Sequence, residues 1–208
     1  MRRSKLSLRV TKSYKERIKR RILKAAFKEF SVKGYDKTNL DDVANSLGIA
    51  RGTIYLYFPS KQRLFEAISE FQLKRLRKLL ENHQWSSEEA ASTARSFFKR
   101  LKVGLPENSE KMAIEMLGES SRNRELKRQR LLESRKMQQI ITDFIQARMR
   151  NKRIGGSREW RELAVGMIAL YDGLNMLKVL GYQEQEIEDA WTRTITLIVE
   201  GAIEWIFG

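Results

Sequence analysis

The chain of 208 residues contains no cysteine, one histidine and two prolines. Without cysteine it can form neither disulfides nor a thiolate nucleophile. The single histidine, His83, lies in a polar stretch. The chain therefore lacks the residues that a histidine metal site or a histidine-based catalytic triad needs. The scarcity of proline, beside abundant Leu, Ala, Glu, Lys and Arg, favours helices. We therefore expect an all-α protein that is not an enzyme and needs no cofactor and no metal.

Long hydrophobic runs are also missing. The opening stretch, MRRSKLSLRVTKSYKERIKRR, has no apolar run of the length of a signal peptide, and no stretch elsewhere is long enough to cross a bilayer. We therefore expect a cytoplasmic protein, associated with the nucleoid if it binds DNA, and no membrane partner.

Acidic residues are the minority among the charged ones. The chain has 41 Lys and Arg against 26 Asp and Glu, a formal net charge of +15. Such a surplus repels itself unless a polyanion is near. Nucleic acid is the first candidate, and an anionic membrane or simple colloidal solubility are the alternatives. The basic residues of segment 1–13 either follow DNA phosphates or the minor groove, or form a solubilising tail.

Apolar residues recur at spacings of three and four along most of the chain, which predicts about nine helices. Gly34 and Gly48 are expected to end the first two helices, and Asn39 to cap the second. The predicted organisation has a flexible basic arm (1–13), a three-helix DNA-binding domain (14–60), a connecting helix (61–82) and a larger helical domain (83–208).

The segment IARGTIYLYF, residues 49–58, alternates hydroxyl-bearing and apolar side chains in the manner of a β-strand. On a helix, at about 100° per residue, Ile54 and Phe58 instead share one edge that faces a core, and the polar side chains lie on the outer face. The preceding SLGIAR supplies the glycine-containing turn of a helix-turn-helix. The sequence therefore predicts a short, outward-facing helix that ends before Pro59.

Residues 34–65, GYDKTNLDDVANSLGIARGTIYLYFPSKQRLF, resemble the DNA-binding domain of the TetR family of one-component transcriptional regulators. Asn39 departs from the Ser or Thr usual at its position but keeps the capping chemistry. The positions that fit the family pattern are Gly34, Tyr35, Thr38, Leu40, Val43, Ala44, Leu47, Gly48, Ile49, Gly52, Thr53, Ile54, Tyr55, Tyr57, Phe58, Ser60, Lys61 and Leu64.

The short helix has suitable chemistry for a major groove. Arg51 can reach guanine O6 and N7, and Leu56 can contact a thymine methyl group. Hydroxyl groups and Lys61 suit the flanking phosphates, as does the start of the second helix. The residues expected to contact DNA are Thr38, Asn39, Ala50, Arg51, Gly52, Thr53, Tyr55, Leu56, Tyr57 and Lys61.

The last two predicted helices, 157–180 and 184–207, are the most apolar of the chain and can hardly cover one another completely. Pairing them with their copies would form a homodimer with a two-fold axis, which presents two reading helices to a palindromic operator. An intramolecular core is the alternative. The expected interface residues are Met167, Tyr171, Leu174, Lys178, Trp191, Thr194, Ile198 and Trp205.

The resemblance implies a small-molecule pocket in the larger domain. Its Met and Phe residues suit an alkyl chain and its arginines an anionic head group, so a fatty acyl-CoA is the leading effector. A hydrophobic or cationic drug-like compound is the alternative, and each residue is also compatible with plain core packing. The expected lining is Phe97, Phe98, Met112, Met116, Leu117, Phe144, Ile145, Arg148, Met149 and Tyr171.

The sequence thus predicts a homodimeric transcriptional regulator, a repressor that a ligand releases from its operator. Release would regulate lipid metabolism if the ligand is an acyl-CoA. A non-specific architectural nucleic-acid-binding protein is the rival class, but the large apolar C-terminal half is unnecessary for coating DNA. Binding with a steep salt dependence and no sequence preference would favour that rival.

Overall fold

The structure is a computed structural model that describes residues 2–83, 89–103, 105–149 and 157–207; at 2–12, 148, 149, 157, 199 and 201–207 it describes the helix backbone alone. Over these ranges the chain is all-helical, which confirms the predicted fold class. The nine helices within them are α1 (Arg2–Lys37), α2 (Leu40–Ser46), α3 (Arg51–Tyr57), α4 (Lys61–Asn82), α5 (Ala90–Lys102), α6 (Ser109–Ser120), α7 (Arg124–Met149), α8 (Ser157–Val179) and α9 (Glu184–Phe207).

Helix α1 begins at Arg2, so its backbone is helical over residues 2–13, where the sequence predicts a flexible arm. The physical reason is visible in the sequence, since no glycine or proline occurs before Gly34 and Lys, Arg and Leu are good helix formers. The helical geometry breaks at Gly34, where φ is 80° and ψ is 170°. Glycine adopts this conformation without the steric penalty of a side chain, which agrees with its predicted role at the helix end.

The residues group into two compact units. The first unit contains the described residues up to Gln72 together with Pro106–Met116, and the second contains Leu73–Leu105 with the described residues from Leu117 onward. Helices α4 and α6 therefore contribute residues to both units, whereas the sequence suggested a domain boundary at residue 60. Within the described ranges, none of the helices combines the length and the hydropathy that a membrane span requires.

Aromatic and aliphatic side chains from α1, α3 and α4 fill the core of the first unit. Ile22, Phe30, Ile54 and Leu64 are fully buried. The Phe30 ring packs edge-on against Phe65, with 5.7 Å between their centroids. Burying each of these side chains contributes roughly 1.5–3 kcal/mol, so Ile54 is what anchors the short α3 to the rest of the unit.

The second unit has its own core, built from α5, α7, α8 and α9 with the end of α4. Trp191 of α9 is at its centre, where its indole nitrogen donates to the carbonyl of Ala94 at 3.1 Å. At the edge of the same helix pair, Arg95 of α5 contacts Glu188 at 2.8 Å and Asp189 at 2.7 Å. The buried ring system and the surface ion pairs together hold α5 on α9.

Candidate nucleic-acid interface

Helices α2 and α3 form a helix-turn-helix with the predicted capping residue and turn glycine. Asn39 caps α2, since its Oδ1 accepts the backbone N–H of Asp42 at 2.7 Å. Gly48 lies in the turn with φ at 63°, a left-handed conformation that favours glycine. Val43 and Ala44 of α2 and Ile54 of α3 face the core. The two helices are therefore fixed to the first unit by their inner faces.

The outer face of α3 is open. Leu56 is 82% exposed and Tyr55 39% exposed. Ala50, Arg51 and Gly52 are also exposed, while Thr53 and Tyr57 are half-buried at the flanks. The structure thus brings seven of the predicted DNA-contacting residues to one end and one face of α3.

Arg51 is held by two neighbours. Its Nε atom lies 2.9 Å from Oδ1 of Asp41 in the first turn of α2, and its Cζ lies 5.6 Å from the centroid of the Tyr55 ring. Hydrogen bonding to Tyr55 and the charge of Asp41 raise the pKa of the Arg51 guanidinium, so it keeps its positive charge. The side chain is nevertheless 72% exposed.

Thr38 is not part of this surface. It is 1% exposed, and its hydroxyl donates to the carbonyl of Gly34 at 2.7 Å. This contradicts the predicted phosphate contact from Thr38. The reason is that the broken end of α1 leaves carbonyl groups without partners, and a buried hydroxyl close by satisfies one of them.

Lys61, at the start of α4, has a structural role as well. Its Nζ donates to the carbonyls of Tyr35 at 2.9 Å and Asp36 at 3.1 Å, and it lies 4.5 Å from the centroid of the Tyr35 ring. The ammonium group therefore joins the start of α4 to the end of α1. The predicted phosphate contact by Lys61 stays a prediction.

Sequence patterns did not indicate the contact between Asp41 and Arg51. Asp41 and Asp42 both look like acids placed at a helix start for the helix dipole. The structure separates them, because Asp42 is 3.0 Å from Lys33 while Asp41 is paired with Arg51. A pairing between two helices has no fixed spacing in sequence, so no sequence pattern could have revealed it.

The predicted pocket residues are divided between the two units. Phe97, Phe98, Ile145 and, at their edge, Phe144 and Tyr171 belong to the core of the second unit. Met112 and Met116 belong to the first unit, where the sulfur of Met112 accepts a hydrogen bond from Ser31 at 3.9 Å. Leu117 is 66% exposed. The side chains of Arg148 and Met149 lie outside the described residues.

The predicted dimer residues do not share one free surface either. Leu174 and Trp191 are buried in the core of the second unit, which contradicts a direct role for them in an interface. Met167, Tyr171 and Ile198 pack against the same core, and Lys178 is paired with Glu184 at 2.9 Å. Thr194 is half-buried, and the side chain of Trp205 lies outside the described residues.

The exposed apolar surface lies on the other side of α8. We call it the α8 outer face. Asp172 lies in the middle of it, between apolar and small residues that recur every three or four positions. These residues are Val165, Gly166, Ala169, Gly173, Met176, Val179 and Leu180. Such a stripe on a surface helix is typical of a contact with another protein chain.

Comparison with known proteins agrees with this geometry. Residues 22–68 match the family model described as bacterial regulatory proteins, tetR family. An uncharacterized HTH-type transcriptional regulator, YfiR of Bacillus subtilis, is 35% identical over 134 residues, which span 62% of this chain and 63% of that protein. The biofilm operon icaADBC negative transcriptional regulator IcaR of Staphylococcus aureus is 43% identical over 49 residues, 24% of this chain and 26% of that protein.

The fold comparison extends over most of the chain. The crystal structure of a putative transcriptional regulator from Saccharomonospora viridis in complex with choline aligns with a TM-score of 0.60 at 21% identity. The alignment covers 91% of this chain and 96% of that chain, so the helical architecture of both units is shared. Residues 22–68 thus form a domain that matches the tetR family of bacterial regulatory proteins, and the helical fold of the chain resembles that of solved transcriptional regulators.

Proposed function

We propose that the protein is a sequence-specific DNA-binding transcriptional regulator, and that it acts as a repressor. The outer face of α3 is the observation that carries the proposal. A short helix anchored by buried Ile54 exposes Arg51, Tyr55 and Leu56 together, on a chain with a net charge of +15. Apolar and cationic side chains combined in this way suit a major groove, in which base edges lie between phosphates.

The contacts divide by chemistry. Arg51 supplies paired N–H donors for guanine, and Leu56 supplies an apolar contact for a thymine methyl group. Tyr55 and the half-buried Thr53 and Tyr57 supply hydroxyl donors for phosphates. Helix α1 adds charge, since residues 2–24 contain eleven Lys or Arg and one Glu. These contacts would strengthen binding to all DNA sequences equally.

A homodimer is part of the proposal. A single α3 reads only a few base pairs, and a second copy related by a two-fold axis doubles the site and makes it palindromic. The α8 outer face, with its glycine and alanine residues, lets a second helix approach closely and buries apolar side chains that are now exposed. We place the dimer contact there instead of on Leu174 and Trp191.

Repression and release by a ligand complete the proposal. The name of IcaR as a negative regulator supports repression, although the matched region is the N-terminal domain. For the effector we keep a fatty acyl-CoA as the first candidate, because aromatic and aliphatic side chains dominate the core of the second unit. The choline in the Saccharomonospora viridis structure supports a cationic compound as the second.

One polar atom in the second unit bears on the effector. Asn175 of α8 is buried, and its Oδ1 has no hydrogen-bond partner among the described residues. A buried amide oxygen without a donor costs about 1–3 kcal/mol. An effector that donates a hydrogen bond at this place would remove that cost, so Asn175 is the residue we expect a bound ligand to contact.

Selection from a pool of random DNA duplexes by the purified full chain tests the proposal. We expect the selected sequences to share a two-fold symmetric motif, and Leu56→Glu to lower affinity for it by roughly tenfold or more, because a carboxylate then faces the phosphates. Leu117→Glu is the matched control, since Leu117 is exposed on α6. Recovery of no common motif, with binding that depends on salt alone, would contradict specific recognition.

A further inference from the structure

The contact between Asp41 and Arg51 goes beyond what the helix-turn-helix requires. Asp41 lies in the first turn of α2 and Arg51 opens α3, so the pair spans the two helices of the motif. Their closest atoms, Oδ1 and Nε, are 2.9 Å apart. Both side chains are partly exposed, and a surface ion pair of this kind contributes little to stability, typically about 0–1 kcal/mol. Stabilisation of the fold therefore does not explain why the chain has the ion pair between Asp41 and Arg51.

The nitrogen through which Arg51 contacts Asp41 decides which N–H donors remain for a base. Arginine carries five N–H donors, one on Nε and two on each terminal nitrogen. The closest contact of the carboxylate is with Nε, at 2.9 Å, so this contact is not made through the two terminal nitrogens of Arg51. A bidentate contact with guanine O6 and N7 uses two adjacent N–H donors. The contact with Asp41 therefore does not use the terminal donors that can recognise a G·C base pair, and a guanine would compete only with the hydrogen bond to Tyr55.

Asp41 also restricts the motion of Arg51. A free arginine side chain loses up to about 2 kcal/mol of rotamer entropy when a complex fixes it. In this chain Oδ1 of Asp41 lies 2.9 Å from Nε of Arg51 as an ion pair, and the centroid of the Tyr55 ring lies 5.6 Å from Cζ. Part of the ordering therefore takes place before DNA arrives, and an arginine that is already oriented discriminates better between bases.

We propose that Asp41 is a positioning residue for base recognition: it does not contact DNA itself, but orients Arg51 toward a G·C pair of the operator. This inference rests on the proposed function, since it requires α3 to read DNA. The opposite effect is also chemically conceivable, because a carboxylate near DNA repels phosphates and partly neutralises Arg51. Orientation of Arg51 would increase the discrimination between base pairs, whereas repulsion of phosphates would weaken binding to all duplexes by the same factor.

Asp42 provides a matched control. It is the next residue in the same helix turn, it carries the same charge, and it is paired with Lys33 at 3.0 Å instead of with a residue of α3. Asp41→Asn and Asp42→Asn therefore make the same change of charge at adjacent positions of α2. A difference between the two variants reports on the orientation of Arg51 and not on net charge.

The experiment uses the full chain and the motif selected from random duplexes. The Arg51→Ala variant first identifies the G·C pair that Arg51 recognises. Replacing that pair by A·T no longer changes the affinity of this variant for the motif. Discrimination is then the ratio of the two dissociation constants, for the motif with A·T and with G·C at that position. We expect Asp41→Asn to lower this ratio roughly fivefold or more, and Asp42→Asn to leave it within about twofold of wild type. Asp41→Glu, which restores the carboxylate, should recover part of it.

Two results would overturn the inference while leaving the proposed function standing. One is discrimination unchanged in Asp41→Asn when the wild type does select a motif. The other is tighter binding of Asp41→Asn to both duplexes by the same factor, which would show that Asp41 only repels phosphates. If the wild type selects no motif, the proposed function and this inference fail together. Should Asp41→Asn not fold, judged by circular dichroism, Asp41→Ser replaces it, since serine is well tolerated at a helix start.

Discussion

At the scale of single residues, Gly52 is the position on α3 whose identity the fold does not explain. A Cβ atom placed there would meet nothing within 4 Å. Its backbone is helical, so it needs no positive φ either. Glycine inside a helix is less stable than alanine by roughly 0.5–1 kcal/mol. The missing side chain at this exposed position is therefore best understood as room for a partner that approaches the backbone.

Gly52→Ala should consequently stabilise the protein and weaken its binding to DNA. We expect the free energy of unfolding to rise by about 0.4–1 kcal/mol, because the unfolded chain loses freedom and no contact is strained. Affinity for the selected motif should fall, because the new methyl group holds the start of α3 away from the groove. Urea unfolding and fluorescence anisotropy measure the two quantities.

Gly118→Ala is the control for Gly52→Ala, since Gly118 is also helical and also has open space where its Cβ would be. It should affect stability in the same direction and leave DNA binding unchanged. Equal DNA affinities for Gly52→Ala and the wild type would show that α3 does not approach DNA at this position.

Residue by residue, the sequence predicted what depends on local chemistry. Asn39 caps α2 and Gly48 adopts a positive φ as expected, because both roles follow from the residue type and its neighbours in sequence. The sequence could not predict which groups the side chains of Thr38, Lys61 and Asp41 contact. Each of these side chains is paired with a group on another helix or at the broken end of α1, and such pairings form only when the helices pack.

At the scale of helices, α8 shows why an apolar helix is difficult to orient from sequence. Both of its sides are apolar, so the spacing of hydrophobic residues indicates a helix but does not tell which side faces the core. The structure places Ala164 and Leu174 inside, and Val165 and Met176 outside. The prediction of an interface on the last two helices survives as a proposal, but most of its residues change.

A charge on the α8 outer face should therefore separate the dimer without damaging the fold. We expect Val165→Glu combined with Met176→Glu to give monomers, because two pairs of carboxylates would face each other across a two-fold axis. Light scattering coupled to size-exclusion chromatography measures the mass. Circular dichroism should be unchanged, since both residues are about half exposed in the single chain.

Leu131→Glu combined with Leu132→Glu provides the comparison for this double variant. Both leucines are about half exposed on α7, outside the α8 outer face, so this variant should stay dimeric. A dimeric mass for Val165→Glu combined with Met176→Glu would refute the interface. Charges at Leu174 would not make the same test, because that residue is in the core and its loss would unfold the second unit.

At the scale of the whole molecule, the two units share two helices. Residues of α4 up to Gln72 belong to the first unit and those from Leu73 to the second, and α6 divides between Met116 and Leu117. A helix that has residues in two units can transmit a change from one to the other. We therefore expect a ligand of the second unit to alter DNA binding through these helices.

Linkage makes that expectation quantitative. If an effector lowers the affinity for DNA by some factor, DNA must lower the affinity for the effector by the same factor, typically about 5- to 150-fold. Thermal unfolding with a graded series of acyl-CoA thioesters, free coenzyme A and choline identifies the ligand first. A rise in midpoint that grows with acyl chain length indicates that the folded protein buries the acyl chain. A rise with choline alone favours the cationic alternative.

The affinity for DNA is then measured with and without the identified ligand, and the affinity for the ligand with and without DNA. A ligand that weakens DNA binding, with DNA weakening ligand binding by the same factor, would establish a regulator that an effector releases from its operator. Asn175→Leu should weaken the ligand if the unpaired Oδ1 accepts a hydrogen bond from it, while DNA affinity without ligand stays as in the wild type. A ligand that raises the unfolding midpoint but leaves DNA affinity unchanged would contradict the coupling. A rise no larger than that with free coenzyme A would show that only surface charge is recognised, because the net charge of +15 attracts any polyanion.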